Sequence, residues 1–229
     1  MPGPTLLIAG ATGLVGNHTL VAALSDVRVT KVIAPTRRPL TDTHTFGSYA
    51  GLIEENLLSG RLTNPIIDFK TPPEGLLAGV TSVICTIGTT MRKAGSREAF
   101  QATDHGLVLS LATAAHAAGV PSFAYVSSVG AGPKAASFYL RVKAQVESDL
   151  TALGFRSLTI LRPSFLGGDR DESRPMERVG LALASALKWV TPKRYRVIDA
   201  ADVADRLITS VFASTDGVDI IESEMIPAT

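Results

Sequence analysis

Cysteine is almost missing from this chain. Cys85 is the single one in 229 residues, so no disulfide can form within it. It lies in the apolar run 80–87, where a small buried hydrophobe is the plain expectation. An excess of charge is missing too: 22 Lys and Arg against 21 Asp and Glu leave a formal net charge of +1. That balance offers no electrostatic footprint for nucleic acid or an acidic membrane surface. No apolar run approaches the ~18 residues of a membrane span, and no basic stretch leading into an apolar one opens the chain. A soluble, cytoplasmic protein with neither nucleic acid nor membrane as partner is therefore expected. The four histidines, His18, His44, His105 and His116, have no partner at metal-ligand spacing, so no metal is expected.

What is present is a steady alternation. Apolar strand-like runs at 5–9, 31–36, 66–68, 80–87, 122–127 and 158–161 are separated by helix-like segments. The clearest of these are 14–24, 97–118 and 137–153, with a short helix near 52–58. In the segment 97–118, Phe100, Leu107, Val108, Leu111 and Ala115 share one face at helical spacing, and Gly119 and Pro121 stop it. Strands alternating with helices imply right-handed crossovers. The expectation is an α/β, Rossmann-type doubly wound parallel sheet with helices on both faces. No linker or repeat divides the chain, and 45% hydrophobic content suffices for one core, so residues 1–229 read as one domain. The part from 167 onward is expected to supply a substrate-side segment: a charged stretch 167–178, an apolar helix-like stretch 179–190 carrying Trp189, a helix capped by Asp202, and a last strand 218–221.

The first strand-like run, Thr5-Leu-Leu-Ile-Ala9, exits into Gly10-Ala-Thr12-Gly13-Leu14-Val15-Gly16 and then a helix. Glycine permits a tight turn and a close backbone approach, and a helix N-terminus presents unpaired N–H groups to an anion. A strand-to-helix turn without ligand has the same pattern, but the order strand, glycines, helix favours a pyrophosphate site. A carboxylate about twenty residues further on would hold a ribose 2′-hydroxyl, whereas arginine accommodates a 2′-phosphate. Here stand Arg37 and Arg38, with no acid, at the carboxyl end of the second strand. Solvated surface arginines are the bland alternative. The position favours NADP over NAD.

The second half carries Tyr139 and Lys143, whose four-residue spacing puts phenol and ammonium on one helix face. A nearby ammonium favours a phenolate, moving a phenol from its usual pKa of ~10 toward the working pH. Upstream, a strand ends in Ser127 and Ser128, on the edge where ligands bind in open α/β sheets. Each feature alone is common. Their order along the chain is not.

Gly10-x-x-Gly13-x-x-Gly16, Ser128 and Tyr139-x-x-x-Lys143 resemble the short-chain dehydrogenase/reductase superfamily, in its extended or atypical branch, over nearly the whole chain. More narrowly, Cys85-Thr-Ile-Gly88-Thr-Thr-Met-Arg-Lys-Ala-Gly95 with Phe100 and Asp104 is similar to the Tat-interacting-protein-like oxidoreductases. So are Tyr125-Val-Ser-Ser128, Leu161-Arg-Pro-Ser164 and Arg170-Asp-Glu-Ser-Arg-Pro175. The resemblance implies Tyr139 as proton donor or acceptor, Lys143 as ribose holder and Ser128 as the carbonyl-orienting serine. Ser127 stays open for that last role, because the interval to Tyr139 is short. It also implies Asp68 and Phe69 beside the adenine, Thr86, Gly88 and Thr89 beside the ribose and nicotinamide, and Pro163 and Ser164 over the nicotinamide face. Arg174 is a possible substrate contact. Asp104-His105 stand where many reductases carry an asparagine that organises a relay water, which departs from the pattern.

The function this implies is hydride transfer between NADP and a small carbonyl or alcohol. A non-catalytic NADP-binding regulator is the rival, disfavoured by the retention of Ser128, Tyr139 and Lys143. A sugar-nucleotide epimerase is disfavoured by the short chain left after the sixth strand.

Overall fold

The computed structural model describes residues 3–42, 44–167, 192–213 and 215–226. In chain order the strands are β1 (Thr5–Ala9), β2 (Lys31–Ile33), β3 (Leu62–Thr63), β4 (Ser82–Cys85), β5 (Ser122–Val126) and β6 (Ser157–Arg162). They are followed by β7 (Leu166–Gly167), β8 (Ile198–Asp199) and β9 (Gly217–Glu222). Seven of them form one sheet in the order β3-β2-β1-β4-β5-β6-β9, every pair parallel, and β7 and β8 make a separate parallel ribbon. The order reverses between β1 and β4, and the carboxyl ends of those two strands open the crevice where ligands bind in such sheets.

The continuous apolar strands follow from cover on both faces. Leu6 and Ile8 point to one face and meet α1 (Leu14–Ser25) and α7 (Ala200–Ala213) through Val15, Leu20, Val203 and Leu207. Leu7 and Ala9 point to the other and meet α5 (Val108–Ala117) and α6 (Phe138–Leu153) through Leu111, Ala115, Val146 and Leu150. Between them, α2 (Ala50–Leu58) flanks β3, while α3 (Met91–Ala94) and α4 (Arg97–Gln101) follow β4.

Three expectations need correction. The third strand lies at Leu62–Thr63 and not at 66–68; of the latter only Ile66 bridges, to Thr36, and β2 is shortened to match. Pro65 is the reason, since it has no N–H to give to the buried Ala34 carbonyl. The Asn64 side chain substitutes: Nδ2 donates to the Ala34 carbonyl at 2.7 Å and to Thr36 Oγ1 at 2.8 Å, while Oδ1 accepts from the Leu40 N–H at 2.9 Å. Second, the long helix is interrupted by a π turn over Ala102–Leu107. Third, the last helix begins at Ala200, and Asp199, not Asp202, accepts from a first-turn amide, the N–H of Ala201 at 3.2 Å. The last strand stands as expected, one residue longer at each end. Trp189, the apolar stretch 179–190 and the charged stretch beyond Gly167 lie outside the described residues.

Asn64→Ala should therefore leave a buried carbonyl without a donor and cost about 1–3 kcal/mol. In denaturant titration the midpoint falls with an unchanged slope. An unchanged midpoint would mean that solvent reaches the Ala34 carbonyl.

Candidate functional site

Two of the loop glycines are required by packing and the third is not. Gly10 has φ +90°, and a Cβ there would come within 2.6 Å of Thr86 Oγ1 and 2.8 Å of the Thr86 carbonyl carbon. A Cβ on Gly16 would overlap the Gly10 carbonyl oxygen. Thr86 closes this corner by donating Oγ1–H to the Ala9 carbonyl at 2.9 Å. At Gly13 an added Cβ meets only the Gly10 carbonyl oxygen, at 3.3 Å. Gly13 is also the N-cap of α1, gives its amides no side-chain cap, and no acid occupies the first turn. Thr12 and Gly13 are exposed, Leu14 is half-buried, and Val15 and Gly16 are buried. An open cradle lined by uncapped helix-end amides fits a pyrophosphate.

Along the same edge, Thr36 Oγ1 donates to the Arg38 carbonyl at 2.6 Å and shapes the turn that leaves Arg37 and Arg38 exposed. Asp68 is exposed, and its carboxylate accepts the Lys70 N–H at 2.9 Å. The Phe69 ring is buried in the core, so only its backbone borders this edge.

Across the crevice, α6 brings Lys143 into the protein, 4% exposed. Its ammonium meets Tyr125 Oη at 3.0 Å, Asp104 Oδ1 at 3.2 Å and the Val126 carbonyl at 3.4 Å. Two of its N–H groups thus have hydrogen-bond acceptors, in Tyr125 and Val126, while Asp104 Oδ1 faces it as an ion-pair partner and accepts no hydrogen bond. Burial by itself would lower the lysine pKa, but the Tyr125 and Tyr139 hydroxyls and the Asp104 carboxylate outweigh it and hold it above the ordinary value. Burial raises the Tyr125 phenol, with the Lys143 charge partly offsetting. Burial likewise raises Asp104 against the pull of Lys143 and the Thr89 amide. Cys85, in the strand beneath, is fully buried and its thiol is pushed up to about 12 by desolvation, consistent with an inert core residue.

Asp104 lies within the π turn, between Phe100 and Val108, all three fully buried. Its Oδ2 accepts the Thr89 N–H at 2.8 Å. Gly88 passes over the pair so closely that a Cβ would sit 3.2 Å from Asp104 Oδ1 and 3.7 Å from Lys143 Nζ. Gly88, Thr89 and Lys143 are therefore brought together around a carboxylate to which the sequence reading gave no role, while Thr86 stands with the glycine loop. The signal was available: Asp104 stands four residues from both Phe100 and Val108, on the apolar face. His105, its neighbour, turns away and meets Asp149 Oδ2 at 2.7 Å.

Tyr139 is half-buried, with its ring 5.7 Å from that of Phe100 and 5.9 Å from Lys143 Nζ. The two serines differ sharply. Ser127 is buried and donates to Glu147 Oε1 at 2.5 Å, whereas half-buried Ser128 reaches only its neighbour's carbonyl, at 3.5 Å. Pro163 is buried and its carbonyl accepts the Val129 N–H at 2.9 Å, joining the turns after β5 and β6. The Ser164 hydroxyl donates to the Arg196 carbonyl and so ties the β6 turn to the C-terminal part. Arg174 lies outside the described residues. Among the described residues no three His, Cys, Asp or Glu gather as a metal site, and no helix is long and apolar enough to cross a membrane.

Residues 10–213 match the model of a family described as NAD(P)H-binding. The mitochondrial protein fmp52 of Emericella nidulans is 34% identical over 184 residues, covering 79% of this chain and 74% of the relative. The mitochondrial FMP52 of Coccidioides immitis is 30% identical over 221 residues, covering 94% and 88%. Those names overturn the expectation of a cytoplasmic protein. The solved structure of MoeE5 in complex with UDP-glucose and NAD superposes with a TM-score of 0.69 at 18% identity, covering 98% of this chain and 79% of that one, which shows a shared fold. By its glycine loop, its doubly wound sheet and its family match, the chain belongs to the NAD(P)H-binding family.

Proposed function

We propose that this protein is an NADP-dependent oxidoreductase acting on a small carbonyl or alcohol. The observation that carries the reading is the buried Lys143 ammonium beside Gly88, one helical turn from half-buried Tyr139, across the sheet edge from the uncapped glycine loop. Gly10, Thr12, Gly13, Leu14, Val15 and Gly16 would cradle the pyrophosphate, and Arg37 and Arg38 the 2′-phosphate. Asp68 and the Phe69 backbone would border the adenine. Thr86, Gly88, Thr89 and Lys143 would hold the ribose and nicotinamide, with Pro163 and Ser164 on the opposite wall. When bound, the dinucleotide supplies or takes the hydride. Ser128, whose hydroxyl is uncommitted while that of Ser127 is spent on Glu147, orients the substrate oxygen. Tyr139 gives or takes the proton at that oxygen. The Lys143 charge stabilises the negative charge left on the phenol oxygen during transfer.

A second reading, an NADP-binding regulator without turnover, draws on one observation. Lys143 directs its hydrogen bonds to Tyr125 and Val126 and its ion pair to Asp104, with none to Tyr139 among the described residues. That arrangement would serve nucleotide binding alone.

If the arginines meet a 2′-phosphate, NADPH binds more tightly than NADH. A charge-assisted contact contributes about 1.5–3 kcal/mol, so the preference is at least about tenfold, and changing Arg37 and Arg38 together to Ala erases most of it. Equal affinities in titration calorimetry would sink the assignment. Gly13→Val should abolish nucleotide binding yet leave the far-ultraviolet spectrum nearly intact, with only a modest fall in melting temperature from the 3.3 Å contact with the Gly10 carbonyl and the poorer N-cap. Undiminished NADPH binding would move the pyrophosphate elsewhere. Tyr139→Phe should lower turnover by roughly 10²–10⁴-fold with little change in NADPH affinity. Full turnover in that variant removes Tyr139 from the chemistry, and tight NADPH binding without any turnover in the parent favours the regulator.

A further inference from the structure

A second ionic assembly stands at the carboxyl edge of the sheet, outside every residue assigned above. Glu147 lies one turn beyond Lys143 on α6 and is 7% exposed. Its carboxylate takes the Ser127 hydroxyl on Oε1 at 2.5 Å and two arms of one guanidinium: Arg162 Nε on Oε1 at 3.0 Å and Nη2 on Oε2 at 2.6 Å. The third arm, Nη1, donates to Glu222 Oε1 at 2.8 Å at the end of β9, and Arg194 Nη2 meets Glu222 Oε2 at 3.2 Å. Glu, Arg, Glu and Arg alternate, so the assembly is neutral. Its hydrogen bond to Glu147 is the first of the causes that raise Arg162 above the ordinary arginine value, against the opposing effect of burial.

What the assembly grips matters more than its charge. Ser127 immediately precedes Ser128, and Arg162 immediately precedes Pro163 and Ser164. The same two turns are joined by the backbone, Ser127 N–H to the Leu161 carbonyl at 2.7 Å and Val129 N–H to the Pro163 carbonyl at 2.9 Å. A buried ion pair contributes little net stability compared with an apolar pair of the same shape. A bidentate fork, however, fixes direction as well as distance. Arg37, Arg38 and Asp68 stand at the far side of the sheet, beyond β1 and β4, and touch none of this.

We propose that Glu147 is a positioning residue for the nicotinamide end of the dinucleotide. It acts through Ser127 and Arg162 on the turns that carry Ser128, Pro163 and Ser164. The proposal rests on the reading above that these turns flank the nicotinamide.

The test uses two ligands: NADPH, and adenosine 2′,5′-bisphosphate, which is the adenine half alone. Titration calorimetry of Glu147→Gln should show NADPH weakened about tenfold or more, because the brace loses its charge and half its fork. The adenine fragment should keep its affinity within about twofold, since it sits far from the change. Arg162→Lys, which keeps the charge and loses the fork, should give the same split and serves if Glu147→Gln does not fold. A merely structural role would weaken both ligands together or lower the melting temperature alone, and either result overturns the proposal. Unchanged NADPH affinity overturns it too. If the parent protein already binds the fragment as tightly as NADPH, the nicotinamide end contributes nothing. In that case the assignment of the turns fails first and the proposal falls with it.

Discussion

A buried ammonium has to be neutralised where it stands, and the arrangement around Lys143 answers that requirement. Taking a charge out of water costs several kcal/mol unless partners replace the solvent, and losing one partner of such a pair leaves the other stranded at about 3–5 kcal/mol. Asp104, within the π turn that interrupts the helix, supplies the opposite charge. π turns are frequent at functional sites. Thr89 and Gly88 follow from the same demand. One lends an amide to the carboxylate, and the other has no side chain because the pair lies directly beneath.

The glycine loop is rigid for a separate reason. β1, β4 and the start of α1 converge so tightly that Gly10 and Gly16 have no room for a methyl group, and Thr86 fills what remains. The loop is thereby held with its helix-end amides facing outward before any ligand arrives. Pre-organisation of that kind lowers the ordering cost of binding. The two halves of the crevice are thus built on different physics, steric closeness on one side and charge compensation on the other.

Features that depend on local spacing were legible in the sequence. The strand and helix order, the glycine loop and the shared face of Tyr139 and Lys143 need only periodicities of two, three and four residues. What depended on partners distant in sequence was not. The third strand moved because Pro65 lacks the N–H that Ala34 needs, and only the folded chain shows that Asn64 supplies it. Which of Ser127 and Ser128 is uncommitted turns on Glu147, twenty residues on, and the Arg162 fork closes across fifteen. Asp104 was the intermediate case, a carboxylate on an apolar stripe whose position was visible and whose partner was not.

The last helix gives the first loop its backing. α7 sets Val203, Leu207, Ile208 and Val211 into the same apolar cluster as Val15, Leu20 and Leu24 of α1, and Phe212 lies under the Arg28 guanidinium at 3.8 Å. The glycine loop therefore leaves the ribosome well before the helix that supports it. A nascent chain that has emerged only as far as β6 holds α1 with one apolar flank open to water. Such a flank is the kind of surface that draws chaperones and invites aggregation. The final shape of the first loop is then acquired late, once residues far from it in sequence have closed its open flank.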